Sequence, residues 1–325
     1  MKKRLFASLL CLALCLSLLP ITALADGDGG VAYIERGWDG SAVTEQVETI
    51  DTYTLMDKNT VTWSESTTGT PGGWYVARDN VTINQRVQVQ GNVYLILTDG
   101  CTLTVNGGIQ VEKGNSLTIY GQSEQTGTMG RLIASITEED ASIYHAVIGG
   151  NGSDKGGNEG GAVTIHGGFV SATATIFNHN ANAGTGNTDG TGGNDDASIG
   201  SAYGAAIGGG GGNVNGGDGG TITIYGGVVE AINTVDHEDE DNNARVGTAY
   251  GAAIGGGGGG GKIDNKWYAG IGGDGGTVII YGGAVEAPPV SGAATGGGCG
   301  DAARADDTGG TGGEGGSITI YGGTV

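Results

Sequence analysis

The chain has 325 residues, of which 72 are glycine, and its formal net charge is −21 at pH 7. Such an acidic surface excludes nucleic acid and anionic membranes as partners, because contacts to phosphate need clustered Lys and Arg. It is compatible with calcium and with neutral polysaccharides, and the four cysteines, two of them in the first 25 residues, do not form a disulfide framework.

Residues 1–25 have the pattern of a secretory signal peptide. Basic residues 2–4 precede an apolar run over residues 5–19, and Ala23 and Ala25 fit the small-x-small rule for cleavage before Asp26. No later stretch approaches the ~20 apolar residues of a membrane span. We therefore expect a secreted, extracellular or cell-surface protein without a transmembrane segment after signal removal.

Residues 26–80 differ from the rest of the chain. They contain Trp38, Trp63 and Trp74 and few repeats. This pattern predicts a small N-terminal cap that covers the exposed edge of the first repeat.

A repeat of 22 residues begins at residue 81. The returning pairs are Val81 and Ile83 with Leu103 and Val105, Val87 and Val89 with Ile109 and Val111, and Leu95 and Leu97 with Leu117 and Ile119. Each pair alternates apolar with polar residues, which is typical of a strand with one buried face. Three short strands per repeat predict one coil of a three-sided parallel β-helix, in which stacked coils share a core.

The second half repeats more loosely. Units of the type Ala-Ala-Ile-Gly-Gly begin at Ala146, Ala205, Ala252 and Ala293. Each is followed by a Gly-rich stretch and a unit of the type Ile-Thr-Ile-Tyr-Gly-Gly, and we place residues 103–108 in the same frame. The loops vary in length while the strands do not, as solenoid loops do.

The fold class predicted is all-β, a right-handed single-stranded parallel β-helix over residues 81–325 with the N-terminal cap. Disorder explains the glycine tracts taken alone, but not apolar alternation that recurs in register around them. The chain stops at Val325, directly after a double glycine and before the strand expected next. We expect a β-helix truncated at its C-terminus, or the start of a longer repeat protein.

Two kinds of segment carry a family resemblance. Residues 91–123 resemble the leading module of large Gly-rich repeat surface proteins of Gram-positive bacteria, and the later units are similar to that family's Ala-Ile-Gly-Gly and Gly-Gly-Thr-Ile-Thr-Ile-Tyr-Gly-Gly repeats. The resemblance covers residues 70–325. It implies a carbohydrate-binding or adhesin-like parallel β-helix displayed at the cell surface, with no established binding residues to transfer.

A column of aromatic side chains is the first candidate binding site. If Ile224 points inward, Tyr225 points outward, and Tyr225, Tyr281 and Tyr321 stack on successive coils with His166 and Asn106 earlier in the column. We place Tyr120 on another face.

Exposed rings bind the apolar faces of sugars, so the expected partner is a polysaccharide or a host or cell-wall glycan. The alternative is that stacked rings only stabilise a parallel sheet. Trp267 and Tyr268 interrupt a glycine tract, either as a further sugar contact or as a plug over a coil.

Calcium is the one cofactor that the sequence suggests. Residues 149–154 match the first six positions of a calcium-binding nonapeptide repeat, with Asp154 as the acidic ligand, but Gly156 replaces the large apolar residue required at position eight. Asp239 and Asp241 lie in an acidic run that suits hard cations. Plain charged loops are the favoured explanation of both segments, so no cofactor is the default.

The catalytic alternative is a pectin-degrading enzyme, since such enzymes are frequent among parallel β-helices. Residues 187–196 resemble the acidic motifs of polygalacturonases, but both acidic groups sit in one loop and the later basic elements are absent. We therefore expect a glycan-binding or adhesion module without catalytic activity. The alternatives are a purely structural surface stalk and a pectin-type polysaccharide lyase or hydrolase.

Overall fold

The structure is a computed structural model that describes residues 30–67, 70–178, 201–237, 248–263, 266–268, 270–288, 293–300 and 310–325. These residues form strands and connecting turns and contain no helix, so the prediction of an all-β protein is confirmed. In particular, the described part of the chain holds no helix that would cross a membrane.

Three parallel sheets contain most of the strands. The first sheet consists of β3 (Thr54–Leu55), β7 (Trp74–Ala77), β10 (Asn92–Leu97), β13 (Ser116–Gly121), β16 (Ala162–Ile165), β19 (Thr221–Ile224), β24 (Thr277–Ile280) and β27 (Ser317–Ile320). The second consists of β8 (Val81–Ile83), β11 (Thr102–Asn106), β14 (Arg131–Glu139), β17 (Phe169–Asn178), β20 (Val228–His237) and β25 (Ala284–Glu286). The third consists of β4 (Thr62–Ser64), β9 (Val87–Gln90), β12 (Ile109–Gln110), β15 (Ile148–Gly149), β18 (Ile207–Gly208), β21 (Ile254–Gly255) and β26 (Thr295–Gly296).

The remaining strands form three antiparallel hairpins. They are β1 (Val31–Trp38) with β2 (Val43–Ile50), β5 (Ser66–Thr67) with β6 (Thr70–Pro71), and β22 (Gly261–Ile263) with β23 (Lys266–Tyr268).

The chain visits the three parallel sheets in rotation. From β7 onward, each strand of the first sheet is followed by one of the second and one of the third, and within each sheet the strands neighbour each other in chain order. Inward-facing side chains of all three sheets, for example Leu95, Leu103 and Ile109, belong to one buried cluster. Apolar alternation along each strand therefore supplies one shared core.

Glycine lets neighbouring strands of the third sheet approach closely. Gly149, Gly208, Gly255 and Gly296 follow the isoleucine position of β15, β18, β21 and β26 and have φ values of 145°, 140°, 140° and 137°. A Cβ added to Gly208 would lie 2.0 Å from the carbonyl oxygen of Gly255. Only glycine fits at Gly149, Gly208 and Gly255, because the carbonyl oxygen of the next glycine in the column occupies the space of a side chain.

The stacked sheets begin upstream of residue 81. Strands β3 and β4 and the longer β7 pair in parallel with the strands that follow them. Within the described ranges, the β1–β2 hairpin forms no strand pair with any of the three sheets. The predicted N-terminal cap is thus in part a set of early strands and in part this hairpin, which lies along the first sheet.

The 22-residue repeat holds for two of its three strand pairs. Val81 pairs with Leu103, and Val87 pairs with Ile109, as predicted. Leu95, however, pairs with Ile119 and not with Leu117. The turn before β13 is two residues longer than the turn before β10, and this shifts the register by one inward position.

The frame assigned to residues 103–108 was wrong. These residues belong to β11 and the turn after it, in the second sheet, whereas the strands ending in Ile165, Ile224, Ile280 and Ile320 belong to the first. Their counterpart in the first half is β13, which pairs directly with β16.

Candidate functional site

Aromatic side chains form a continuous stack along the outer side of the first sheet. His166, Tyr225, Tyr281 and Tyr321 each follow the last residue of their strand, and their successive ring centroids are 5.0, 4.8 and 4.9 Å apart with interplanar angles of 14°, 8° and 5°. The separation matches the ~4.8 Å between neighbouring strands. One ring per strand therefore stacks face to face on the next.

Tyr120 also belongs to this stack, contrary to the sequence-based expectation. Its ring lies 4.6 Å from that of His166 at an interplanar angle of 16°. Asn106 does not belong, because it ends β11 in the second sheet, where its amide donates to Oδ1 of Asn84 at 2.8 Å. We call Tyr120, His166, Tyr225, Tyr281 and Tyr321 the aromatic ladder.

The β1–β2 hairpin covers the aromatic ladder. At one end, the Tyr33 ring is 4.6 Å from Tyr120 and 5.1 Å from Trp74. At the other, the Trp38 ring is 5.2 Å from Tyr281 and 5.0 Å from Tyr321, tilted by 32° and 37°. A single strand, β1, thus runs along the ladder and contacts both of its ends.

Arg36 attaches the middle of β1 to His166. Its backbone N–H donates to Nδ1 of His166 at 3.0 Å, and its guanidinium donates to the His166 carbonyl oxygen. The same guanidinium reaches Oε1 of Glu45 at 2.6 Å and Oε1 of Glu124 at 2.9 Å. Both Arg36 (2 % exposed) and His166 (7 % exposed) are buried. The contact joins residues that are 130 positions apart in the sequence.

Burial keeps His166 neutral at physiological pH. Loss of solvent, and to a smaller extent the positive charge of Arg36, lower the pKa of the His166 imidazole from 6.5 to about 4, against the opposing effect of the Arg36 N–H bond. A neutral imidazole with Nδ1 as acceptor is the state that the Arg36 contact requires.

The ladder itself offers few ring faces to a ligand. Tyr225 and Tyr281 each have a ring stacked on both faces, so solvent meets their edges. Sugar stacking needs a free aromatic face. Tyr321 is 54 % exposed, and the half-buried Trp38 lies against the edges of two ladder rings. The aromatic surface that remains accessible is therefore around Trp38 and Tyr321.

The chain has no significant match among protein-family models, curated proteins or solved structures.

The other predicted sugar contacts are Trp267 and Tyr268. They lie in β23, which pairs antiparallel with β22 and follows β21 of the third sheet in the chain. Their side chains fall outside what the structure describes.

The predicted metal ligands do not converge where the structure describes them. Asp154 lies exposed in a turn, and Asp239 and Asp241 fall outside the described residues, as does the acidic loop at 187–196. Across the described ranges, no group of three or more His, Cys, Asp and Glu side chains could hold a metal ion.

A second aromatic stack was missed by the sequence analysis. Tyr144, Tyr203 and Tyr250 stack with centroid separations of 5.3 and 5.0 Å and interplanar angles of 11° and 14°. The Tyr144 hydroxyl bonds Oδ1 of Asn213 at 3.0 Å. The signal was present in the sequence, because each tyrosine lies just before the repeated unit that contains Ile148, Ile207 or Ile254.

Proposed function

We propose that the chain is a secreted, cell-surface glycan-binding module without catalytic activity, built on a right-handed single-stranded parallel β-helix. The rotation of the strands through three parallel sheets around one buried cluster supports the β-helix. The leader at residues 1–25 and the family resemblance support export and surface display.

The observation that carries the binding proposal is the position of Trp38. Its ring is half-buried against the edges of Tyr281 and Tyr321 and is held at the end of a strand that Arg36 anchors. A rigid, partly exposed indole is the kind of surface on which the apolar face of a sugar stacks. Packing from below fixes its orientation, so little side-chain entropy is lost on binding.

Polar groups beside Trp38 suit the hydroxyl groups of a sugar. The exposed carboxylate of Asp39 accepts bonds from the backbone N–H groups of Ser41 and Ala42, both at 2.8 Å. The bond from Ala42 and then those from Ser41 lower the pKa of the Asp39 carboxyl. It therefore remains an acceptor in mildly acidic conditions.

The charge of the chain favours a neutral glycan. A formal net charge of −21 repels uronate-rich, sulfated or phosphorylated polymers at long range. The ligand class that fits best is a neutral polysaccharide or the neutral part of a host or cell-wall glycan.

A glycan array probed with the wild-type chain and with Trp38→Ala tests this proposal. We expect binding of neutral glycans by the wild type and a loss of about tenfold or more in the variant, equivalent to ~1.4 kcal/mol. Tyr94→Ala is the matched control, because Tyr94 stacks on Trp74 at the opposite end of the first sheet. Equal binding by Trp38→Ala and Tyr94→Ala, with unchanged far-UV circular dichroism, would refute the site.

A structural stalk is the second candidate, and the stacked rings favour it. Rings that cover each other's faces, under a hairpin, stabilise neighbouring strands without any ligand. The array separates the two functions, because a stalk binds no glycan while its ladder substitutions still lower the free energy of unfolding.

A further inference from the structure

The β1–β2 hairpin is attached to the first sheet in an unusual way. Among the described residues, β1 forms backbone strand pairs with β2, and no strand pair joins it to the three parallel sheets. It is held by the ring contacts of Tyr33 and Trp38, by the bonds of Arg36 to His166 and Glu124, and by the bond from the Gln122 amide to the Ala32 carbonyl oxygen at 2.8 Å. Val31 and Tyr33 also share a small buried cluster with Val76, Ile96 and Tyr120. Removal of the hairpin would therefore leave the backbone hydrogen bonds between strands in all three sheets intact.

We propose that this hairpin is an acid-released clasp: protonation of His166 detaches β1–β2 from the aromatic ladder while the three parallel sheets stay folded. The inference goes beyond glycan binding and does not depend on it.

Protonation breaks the central contact directly. The Nδ1 atom of His166 accepts the Arg36 backbone N–H, and a protonated Nδ1 has no lone pair with which to accept it. The new positive charge would also be buried beside the Arg36 guanidinium, which donates to the carbonyl oxygen of the same histidine. Two like charges buried beside each other repel. Release of the hairpin would relieve this repulsion and would return both groups to solvent.

The groups that surround His166 do not compensate its charge. Arg36 faces it from β1, and the rings of Tyr120 and Tyr225 stack on its two faces from the neighbouring strands of the first sheet. Glu45 of β2 and Glu124, from the segment after β13, are bonded to the Arg36 guanidinium.

The direction and size of the effect follow from proton linkage. The pKa of His166 is about 4 with the hairpin attached, against 6.5 for an ordinary histidine. Because the attached state has the lower pKa, attachment is fully favoured above pH 6.5 and weakens as the pH falls toward 4. With an ordinary pKa of 6.5 for His166 once the hairpin is released, the equilibrium constant for release, relative to pH 8, rises about 30-fold at pH 5 and about 150-fold at pH 4.

Among the described residues, the buried cluster that the three sheets share contains no such trigger, and the bond of His145 to Gly152 lies in the turns on either side of β15. The buried cluster between the sheets consists of aliphatic residues with Met56, Trp63, Tyr75 and Cys101, and none of its members is an acid or a histidine. Their strands are joined by backbone hydrogen bonds, which do not titrate. Release of the hairpin and unfolding of the sheets should therefore separate along the pH axis.

Hydrogen exchange measured by mass spectrometry on the whole chain between pH 7 and pH 4 tests the clasp, after correction for intrinsic exchange rates. We expect protection of residues 31–50 to fall by about 30-fold at pH 5 while strands such as β13 and β19 keep theirs. The signal of the His166 imidazole carbons in NMR should titrate with the same midpoint.

Two variants separate the mechanism from general acid destabilisation. His166→Asn keeps an acceptor near the position of Nδ1 but cannot take up a proton, so its hairpin should stay protected at pH 5. His145→Asn is the matched control: Nδ1 of His145 accepts the Gly152 N–H at 3.0 Å, away from the hairpin, and burial also lowers its pKa. Its hairpin should be released as in the wild type.

Three results would overturn the clasp. They are loss of protection in the hairpin and the sheets at one common pH, release of the His166→Asn hairpin at the wild-type pH, and a midpoint moved only by Glu45→Gln with Glu124→Gln. If His166→Asn does not fold, disagreement between the imidazole midpoint and the hairpin midpoint in the wild type overturns it equally.

Discussion

Three glycine-to-alanine substitutions separate the two reasons for which this chain needs glycine. Gly208 has a φ of 140° and a neighbour in the way, Gly100 has a φ of 80° and open space, and Gly127 has neither constraint. Each change adds one methyl group, so the differences among the three report on the backbone and not on the chemistry of the side chain.

The expected magnitudes follow from the geometry. An added Cβ at Gly208 would lie 2.0 Å from the Gly255 carbonyl oxygen, whereas real Cβ atoms keep about 3.0 Å or more from such atoms. The alanine variant must therefore move β18 away from β21. In addition, the backbone conformation at this position costs a residue other than glycine ~1–3 kcal/mol. We expect Gly208→Ala to lower the free energy of unfolding by about 3 kcal/mol or more. Gly100→Ala should lower it by ~1 kcal/mol, and Gly127→Ala should leave it unchanged or raise it by ~0.5 kcal/mol.

Urea unfolding followed by far-UV circular dichroism measures these differences, with comparison of midpoints as well as slopes because stacked repeats do not always unfold in one step. A Gly208→Ala midpoint within error of that of Gly127→Ala would refute the close approach of β18 and β21. Equal losses for Gly208→Ala and Gly100→Ala would show that only the backbone conformation matters.

Further substitutions, again followed by urea unfolding, test the core and the polar contacts. Chelation tests whether the protein binds calcium. Ile224→Ala should lower the free energy of unfolding by about 3 kcal/mol, because Ile224 is fully buried, whereas the exposed Ile271→Ala should change it by less than about 0.5 kcal/mol. Arg86→Ala should lower the free energy of unfolding by about 2–4 kcal/mol, because the Arg86 guanidinium donates hydrogen bonds to Oδ1 of Asn151 and to two carbonyl oxygens. A decrease below about 1 kcal/mol would contradict this. EDTA should leave the melting temperature unchanged, because the described residues contain no group of three or more His, Cys, Asp and Glu side chains that could hold a metal ion; a rise with added calcium would revive the calcium site.

Much of the fold was accessible from local patterns. Alternation of apolar residues identified strands such as β11 and β19, and the double glycines marked where they end. The stacking of Tyr225, Tyr281 and Tyr321 also follows from the repeats, because equal spacing from a shared Ile-x-Ile unit places each ring at the same position of its strand.

The register of β13 was not accessible in the same way. The turn before β13 contains two residues more than the turn before β10. The composition of a polar turn does not indicate how many of its residues lie outside the strands. A separate error put Asn106 on the ladder: residues 103–108 end in a double glycine like the later Ile-Thr-Ile-Tyr-Gly-Gly units and were aligned with them, and the 22-residue frame then put Tyr120 on another face.

The hairpin over the ladder could not be predicted for a different reason. The contact between Arg36 and His166 spans 130 residues, and neither residue belongs to a repeat that indicates the other. Burial of an aromatic surface by a distant segment is decided by tertiary packing. The hairpin covers most of the aromatic ladder, which the sequence predicted to be exposed. The residue that matters most for the proposed binding, Trp38, was for that reason assigned to a cap.

A disulfide between neighbouring strands is the most direct test of the stacked parallel sheets. Thr164 and Thr223 are in-register partners on β16 and β19, so cysteines introduced at both positions have Cα atoms within the ~4.4–6.8 Å range of a disulfide. We expect mild oxidation to join them within one molecule, as shown by peptide mapping, while the pair at Thr164 and Thr82, on different sheets, stays reduced. Free thiols at 164 and 223, or equal linkage of both pairs, would contradict the stacking on which the account rests.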